Sequence, residues 1–366
     1  MTSQEKNMLR KLDYPDSARE ALPIIENLII TRNKHDIAMD FIAEFVFREK
    51  KDDSRGMYGK NPPKLSSIEE FQLVLVLCDF FSKPGPDATR NAVFFSLFGG
   101  SISRTSVLNK LISTSISGSI APLLCASGVW LQQLGSSSLP SLELAQCIVR
   151  DFITFSNKSS EQLKSLPMVA PRFVANFMTA VTDLYFNSSR GSLVGPPELL
   201  LEVITDWVSE NPSICLASQQ QLALPSGAIA MPPMTALSGL IRWCVLAPMI
   251  QNTKQTYSKL HLAILQSLME AAPPNTAPPT AINSQHLGLI ISTLQNESDQ
   301  IVKKNPGINL KNNPFLSTSL ERFAQAIQVA LTSRCIFGNI PQLICRLETL
   351  PNNKLLQIVI KANKPM

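Results

Sequence analysis

Three histidines, no paired cysteines and only 17% charged residues in 366 positions leave this sequence little material for most kinds of chemistry. His35, His261 and His286 lie far apart, so an imidazole-centred site has to be assembled entirely by the fold. The seven cysteines (Cys78, Cys125, Cys147, Cys215, Cys244, Cys335 and Cys345) form no C-x-x-C pair and no zinc spacing. Mostly set in apolar runs, they read as small buried hydrophobes of a reducing compartment. There is no G-x-S-x-G elbow, no Walker loop and no dinucleotide fingerprint, and Phe98-Gly99-Gly100-Ser101 lacks the lysine of a phosphate loop. No window holds the ~18 apolar residues a membrane span needs; the nearest, 71 to 81, contains Gln72 and Asp79. The opening MTSQEKNMLRKLDYP has no apolar core of a signal peptide, so the glycosylation triplets at Asn157, Asn187 and Asn296 carry no weight. These absences lead us to expect a soluble intracellular chain that is not an enzyme, with no catalytic residue, cofactor, metal or membrane contact.

The acidic residues do not reverse that expectation. Asp52-Asp53 stands among Lys50, Lys51 and Arg55 and reads as a solvated charge run. Glu202 and Asp206, four apart on one helix, have the spacing to share a cation but equally that of two surface carboxylates. The 33 basic and 28 acidic residues give +5, spread along the chain in short clusters such as Lys303-Lys304. With neither a basic stripe nor interleaved aromatics, direct nucleic-acid recognition is the secondary reading: lysines and arginines dispersed on a concave helical face would contact RNA phosphates.

What the sequence does hold is apolar periodicity, at 45% hydrophobic residues. Ser66 or Ser67 followed by Glu69 or Glu70 is a capping-box signature, and it opens an apolar helix that ends near Phe81. Tyr14-Pro15-Asp16 predicts the start of the first helix, and 36 to 47 a second. Asp87 is placed to cap the helix that Gly99-Gly100 ends. Residues 104 to 134 read as helical with a weak point at Ser117-Gly118-Ser119. Further helices are expected near 142–156, 172–186, 197–210, 235–247, 256–271, 282–304, 318–332 and 341–360, the last broken at Pro351. Almost nothing alternates with the period of two that a half-buried strand needs. The expected fold is all-α, an irregular HEAT-like solenoid of antiparallel helix pairs. Its segments would be an N-terminal helical pair (1–47), a charged loop (48–65), the main array (66–271), a proline-rich loop (272–281) and a C-terminal region continuing the array (282–366). So low a charge fraction fits either a well-buried α protein or one whose surface is partly covered by partners.

The most individual stretch is 234 to 271. Leu237, Leu240, Ile241, Cys244 and Val245 form one helical stripe, and Trp243 and Leu246 fall outside it, so this helix is apolar nearly all round. Arg242, Trp243 and Leu246 are therefore candidate protein-interface residues. In the alternative, Trp243 packs into the next helix layer while Arg242 bonds a helix end. In the following helix Leu260, Ile264 and Leu268, with Tyr257, His261, Leu265 and Met269 beside them, make a broad apolar face opposite Lys259, Gln266 and Glu270. His261, in the middle of that face and without an acidic or cysteine partner one turn away, reads as a packed histidine.

GLIRWCVLAP and YSKLHLAILQSLM resemble segments of the Integrator complex subunit 15 family. Further matches run in order: FQLVLVLCDFF (71 to 81), APRFVANFMTAVTDLY (170 to 185), PPELLLEVITDWVSENP (196 to 212), SLERFAQAIQVAL (319 to 331) and LPNNKLLQIVI (350 to 360). The resemblance implies a non-catalytic nuclear scaffold in the complex that associates with RNA polymerase II, processes small nuclear RNA 3′ ends and attenuates transcription. Its implied partners are Integrator subunits ten, thirteen and fourteen and the Integrator core, with RNA cleavage left to another subunit.

Overall fold

The computed structural model describes residues 2–49, 65–99, 102–154, 160–187, 193–219, 223–224, 234–250, 254–270, 281–304 and 310–364. The loops expected at 48–65 and 272–281 fall almost wholly outside them. The described chain is all-helical apart from one two-residue strand pair. It forms two compact units: Met1–Asp151 with Met168–Phe173 and Gln221–Pro232, and Phe152–Pro167 with Val174–Gln220 and Pro233–Met366. This division does not follow the segments expected from composition. It falls at a π-helical turn, Arg150–Thr154, which neither proline nor glycine marks in the sequence.

In the first unit the helices are α1 (Thr2–Leu9), α2 (Asp16–Ile30), α3 (His35–Phe41), α4 (Ser67–Ser82), α5 (Asp87–Phe98), α6 (Thr105–Ser117), α7 (Ala121–Leu134) and α8 (Leu139–Val149). Helix α1 precedes the expected first helix; its polar sequence, TSQEKNML, shows no core-facing stripe. The capping box is formed as read, with Ser66 N–H donating to Glu69 Oε2 at 2.8 Å and Glu69 N–H to Ser66 Oγ at 3.3 Å. Asp87 is not the cap of α5: Pro86 takes that position, and Asp87 in the first turn instead accepts from Arg90 one turn on. The weak point at Gly118 is a full break, with Ser119 in the left-handed region at φ 51°. Phe94 centres an aromatic cluster in the core, its ring meeting those of Phe81, Phe98 and Trp130 at steep tilts. Arg104, 5% exposed at its side chain, donates to both carboxylate oxygens of Glu49 and to the Leu97 carbonyl, while its guanidinium lies 4.5 Å from the Phe47 ring centre.

In the second unit α9 (Ser160–Lys164) and α10 (Leu166–Val169) precede α11 (Pro171–Thr182), which begins in the first unit's residues. Then come α12 (Glu198–Glu210), α13 (Leu237–Leu246), α14 (Gln255–Glu270), α15 (Ser284–Lys304), α16 (Pro314–Thr332), α17 (Ile340–Leu347) and α18 (Lys354–Asn363). Alternate helices pack on one another: α12 on α14, α14 on α16, α16 on α18, and likewise α13 on α15 and α15 on α17. The first unit repeats the rule with α4 on α6, α6 on α8, and α5 on α7. Within each unit, then, helices bury a face on the helix two along. The parallel strands Ile282–Asn283 and Ile336–Phe337 tie the start of α15 to the turn after α16.

Candidate functional site

Helix α13 carries the three residues singled out as a candidate interface; the fold buries two of them and half-buries Arg242. Trp243 and Leu246 are both 0% exposed. The indole Nε1–H of Trp243 donates to the Thr182 carbonyl at 3.1 Å. Arg242 donates to the same carbonyl at 2.7 Å and to Asp183 Oδ1 at 2.9 Å. Thr182 ends α11, where the last carbonyls have no partner within the helix, so α13 supplies the donors and places a cation at the negative end of the α11 dipole. One turn earlier, a Cβ at Gly239 would collide with the Thr182 side chain, so only glycine permits this approach. Tyr185 meets Trp243 edge-on at 5.7 Å. In the folded chain, then, Trp243 and Leu246 are core and Arg242 is a helix-end clamp, the packing alternative read from the sequence. None of the three side chains stands free on the surface.

The groups with potential chemistry are likewise occupied by structure. His261 is 5% exposed and its Nε2 lies 2.9 Å from Gln325 Oε1. Burial holds its pKa below the usual histidine value, outweighing the Gln325 hydrogen bond, so the ring is neutral at pH 7. His286 approaches Ser238 through Nδ1 at 3.4 Å, and the nearby Asp183 is paired with Arg242. Burial pushes the thiols of Cys215 and Cys244 up to about 12 and that of Cys147 to about 11, which keeps them protonated. Cys125 and Cys345 depart from the buried reading and are exposed. Glu202 and Asp206 lie on the open face of α12, and no His/Cys/Asp/Glu group among the described residues has metal-binding geometry. No described helix is long and apolar enough to cross a membrane.

What the sequence reading did not locate is apolar surface. On α4, Ile68, Phe71 and Leu75 are 73%, 57% and 50% exposed, and their spacing gathers them within about 60° of the helix circumference. The opposite side of α4 buries Leu73, Val74, Leu77 and Phe81, so the helix is apolar on both faces. Charged pairs flank the stripe: Arg48 with Glu69, and Lys110 with Glu70. The usable signal was the near-uniform apolarity of 71 to 81, which exceeds what one buried face requires.

A sequence profile described as Integrator complex subunit 15 matches residues 3–352. The chain belongs to the Integrator complex subunit 15 family. The Drosophila melanogaster protein of that description is 47% identical over 374 residues, covering 98% of each chain. Those of Mus musculus and Homo sapiens are each 30% identical over 360 residues, covering 88% of this chain and 77% of the relative. The matched span runs through both compact units.

Proposed function

We propose that this chain is a structural subunit of the Integrator complex and acts through protein contacts, with no catalysis of its own. The observation that carries the reading is the end-to-end likeness to the fruit-fly subunit. The proposed reading includes a nuclear location, a part in small nuclear RNA 3′-end processing and in attenuation of RNA polymerase II transcription, and RNA cleavage by a different subunit. Its partners in this reading are subunits ten, thirteen and fourteen, joined through this chain to the Integrator core.

Three features support a scaffold. The histidines and buried cysteines best placed for chemistry are held in packing roles. The alternate-helix packing inside each unit supports a HEAT-like array of helix pairs, an architecture that offers long faces to partners. The exposed α4 stripe is surface of the kind that partners cover. Direct RNA binding finds less support, since α12 presents four acidic residues and no lysine or arginine.

The test is affinity capture of the tagged chain at its natural level from nuclear extract, with the co-purifying proteins identified by mass spectrometry. Recovery of subunits ten, thirteen and fourteen in near-equal amounts is the expected result. Their absence from the captured material overturns the reading.

A further inference from the structure

The sequence pattern of α14 predicts an ordinary one-sided helix, but its outward face is not ordinary. Leu262 is 66% exposed and Met269, expected beside the buried face, is 68% exposed. They stand seven residues apart, two turns and ~10.5 Å along one line of the helix. α14 is packed by α12 on one flank, by α16 on the other and by α13 behind, which leaves this line as its open side.

The neighbouring helix adds charge. Lys254 Nζ meets Glu198 Oε2 at 2.7 Å where both helices begin, and Ser267 Oγ donates to the Pro212 carbonyl at 2.5 Å where both end. α12 and α14 therefore run parallel and in step, which sets Leu262 level with Asp206 and Met269 just beyond Glu210. Along α12, Glu202, Asp206 and Glu210 recur every four residues on its exposed side, over about 12 Å. Among the described residues none of the three has a hydrogen bond or ion pair. Lys259 is the one cation that α14 itself (Gln255–Glu270) places on this face, and Glu270 adds a further acid. In a chain of net charge +5 this is a strongly acidic strip laid beside an apolar one.

We propose that the open face of α12 and α14 is a docking site for a basic amphipathic helix of another protein. An incoming helix with apolar residues at i and i+7 covers Leu262 and Met269. Its lysines or arginines, at spacing four on the adjoining side, meet the acidic row of α12. Charge complementarity selects this occupant: a nucleic acid or an anionic membrane is repelled by the row, and an acidic helix is excluded by it. The proposal deepens the scaffold reading by giving the chemistry of one partner segment. Its test is made on the isolated full-length chain, so its failure leaves the subunit reading to the capture experiment.

The experiment is fluorescence anisotropy with three labelled synthetic helices of equal length: leucine with lysine in the stated pattern, leucine with glutamate in the same pattern, and the lysine peptide scrambled. The patterned lysine peptide should bind, more weakly as salt rises, at least about tenfold tighter than either control. The double variant Asp206→Lys, Glu210→Lys should lose that preference and favour the glutamate peptide, and Leu262→Ser, Met269→Ser should weaken binding by about tenfold. Circular dichroism of each variant confirms the fold, and these exposed substitutions leave it intact. Equal binding of the patterned and scrambled lysine peptides, or charge-reversed protein that still prefers the lysine peptide, overturns the proposal.

Discussion

The indole N–H of Trp243 donates to the carbonyl of Thr182 at 3.1 Å, and it shares that oxygen with Arg242. A carbonyl has two lone pairs, so both donors are satisfied at once. Trp243→Ala, which empties a fully buried ring site, should lower stability by about 3–5 kcal/mol. Trp243→Phe should cost only ~1 kcal/mol, because Arg242 still satisfies the acceptor. Urea titration followed by circular dichroism measures both, and an alanine variant as stable as wild type contradicts the core assignment.

Gly239→Ala should destabilise the chain although alanine favours helices by ~1 kcal/mol. The new methyl meets the Thr182 side chain and forces α13 off the end of α11, an overpacking cost of about 1–3 kcal/mol. Adding Thr182→Gly keeps the carbonyl that Trp243 and Arg242 use and removes all three colliding atoms, Oγ1, Cβ and Cγ2. The double variant should recover much of the loss in thermal melts, a non-additivity absent if the two sites do not touch.

Acid should loosen the clasp between Glu49 and Arg104. Burial alone raises the Glu49 carboxyl, but hydrogen bonds from Arg104 and Ser103 outweigh it and hold its pKa below the usual glutamate range. A depressed carboxylate pKa stabilises the fold above the unfolded value of about 4.3, and that contribution is lost as pH falls through the folded value. Glu49→Gln should therefore lower stability at pH 7 and flatten the decline below about pH 4.5. Stability profiles identical to wild type across that range count against the clasp.

His261 and His286 give the chain a second, milder sensitivity. Burial depresses both pKa values, so the folded state favours neutral rings and the unfolded state takes up protons first. Stability is full above the unfolded value of about 6.5 and falls as pH drops from there toward the folded values. His261→Gln, which keeps a donor for Gln325, should reduce the loss between about pH 7 and 5.5. Melting temperatures of the two proteins across that window decide it; parallel declines contradict the account.

Local chemistry made much of the helix order legible. Ser66 and Glu69 form the capping box that their spacing announces, and Gly118 and Pro351 interrupt the chain where such residues interrupt helices. Asp87 shows the limit, since the preceding proline took the cap position. Helix α1 and the short α9 and α10 escaped because polar or very short segments carry no readable period. The Ile282–Ile336 strand pair joins residues more than fifty apart, which no local pattern announces. For the site, sequence narrowed Trp243 to two roles, and the choice rested on the end of α11, some sixty residues away. The exposure of Leu262 and Met269 depends on which flanks neighbouring helices occupy, so it too lay beyond periodicity.

The central claim is that the chain holds other subunits in a complex without performing chemistry. Its most direct measurement is quantitative mass spectrometry of Integrator captured through its RNA-cleaving subunit, before and after acute depletion of this chain. The account predicts that subunits ten, thirteen and fourteen fall away together while the cleaving subunit keeps its other companions, and that re-expression restores them. Unchanged composition after depletion contradicts it.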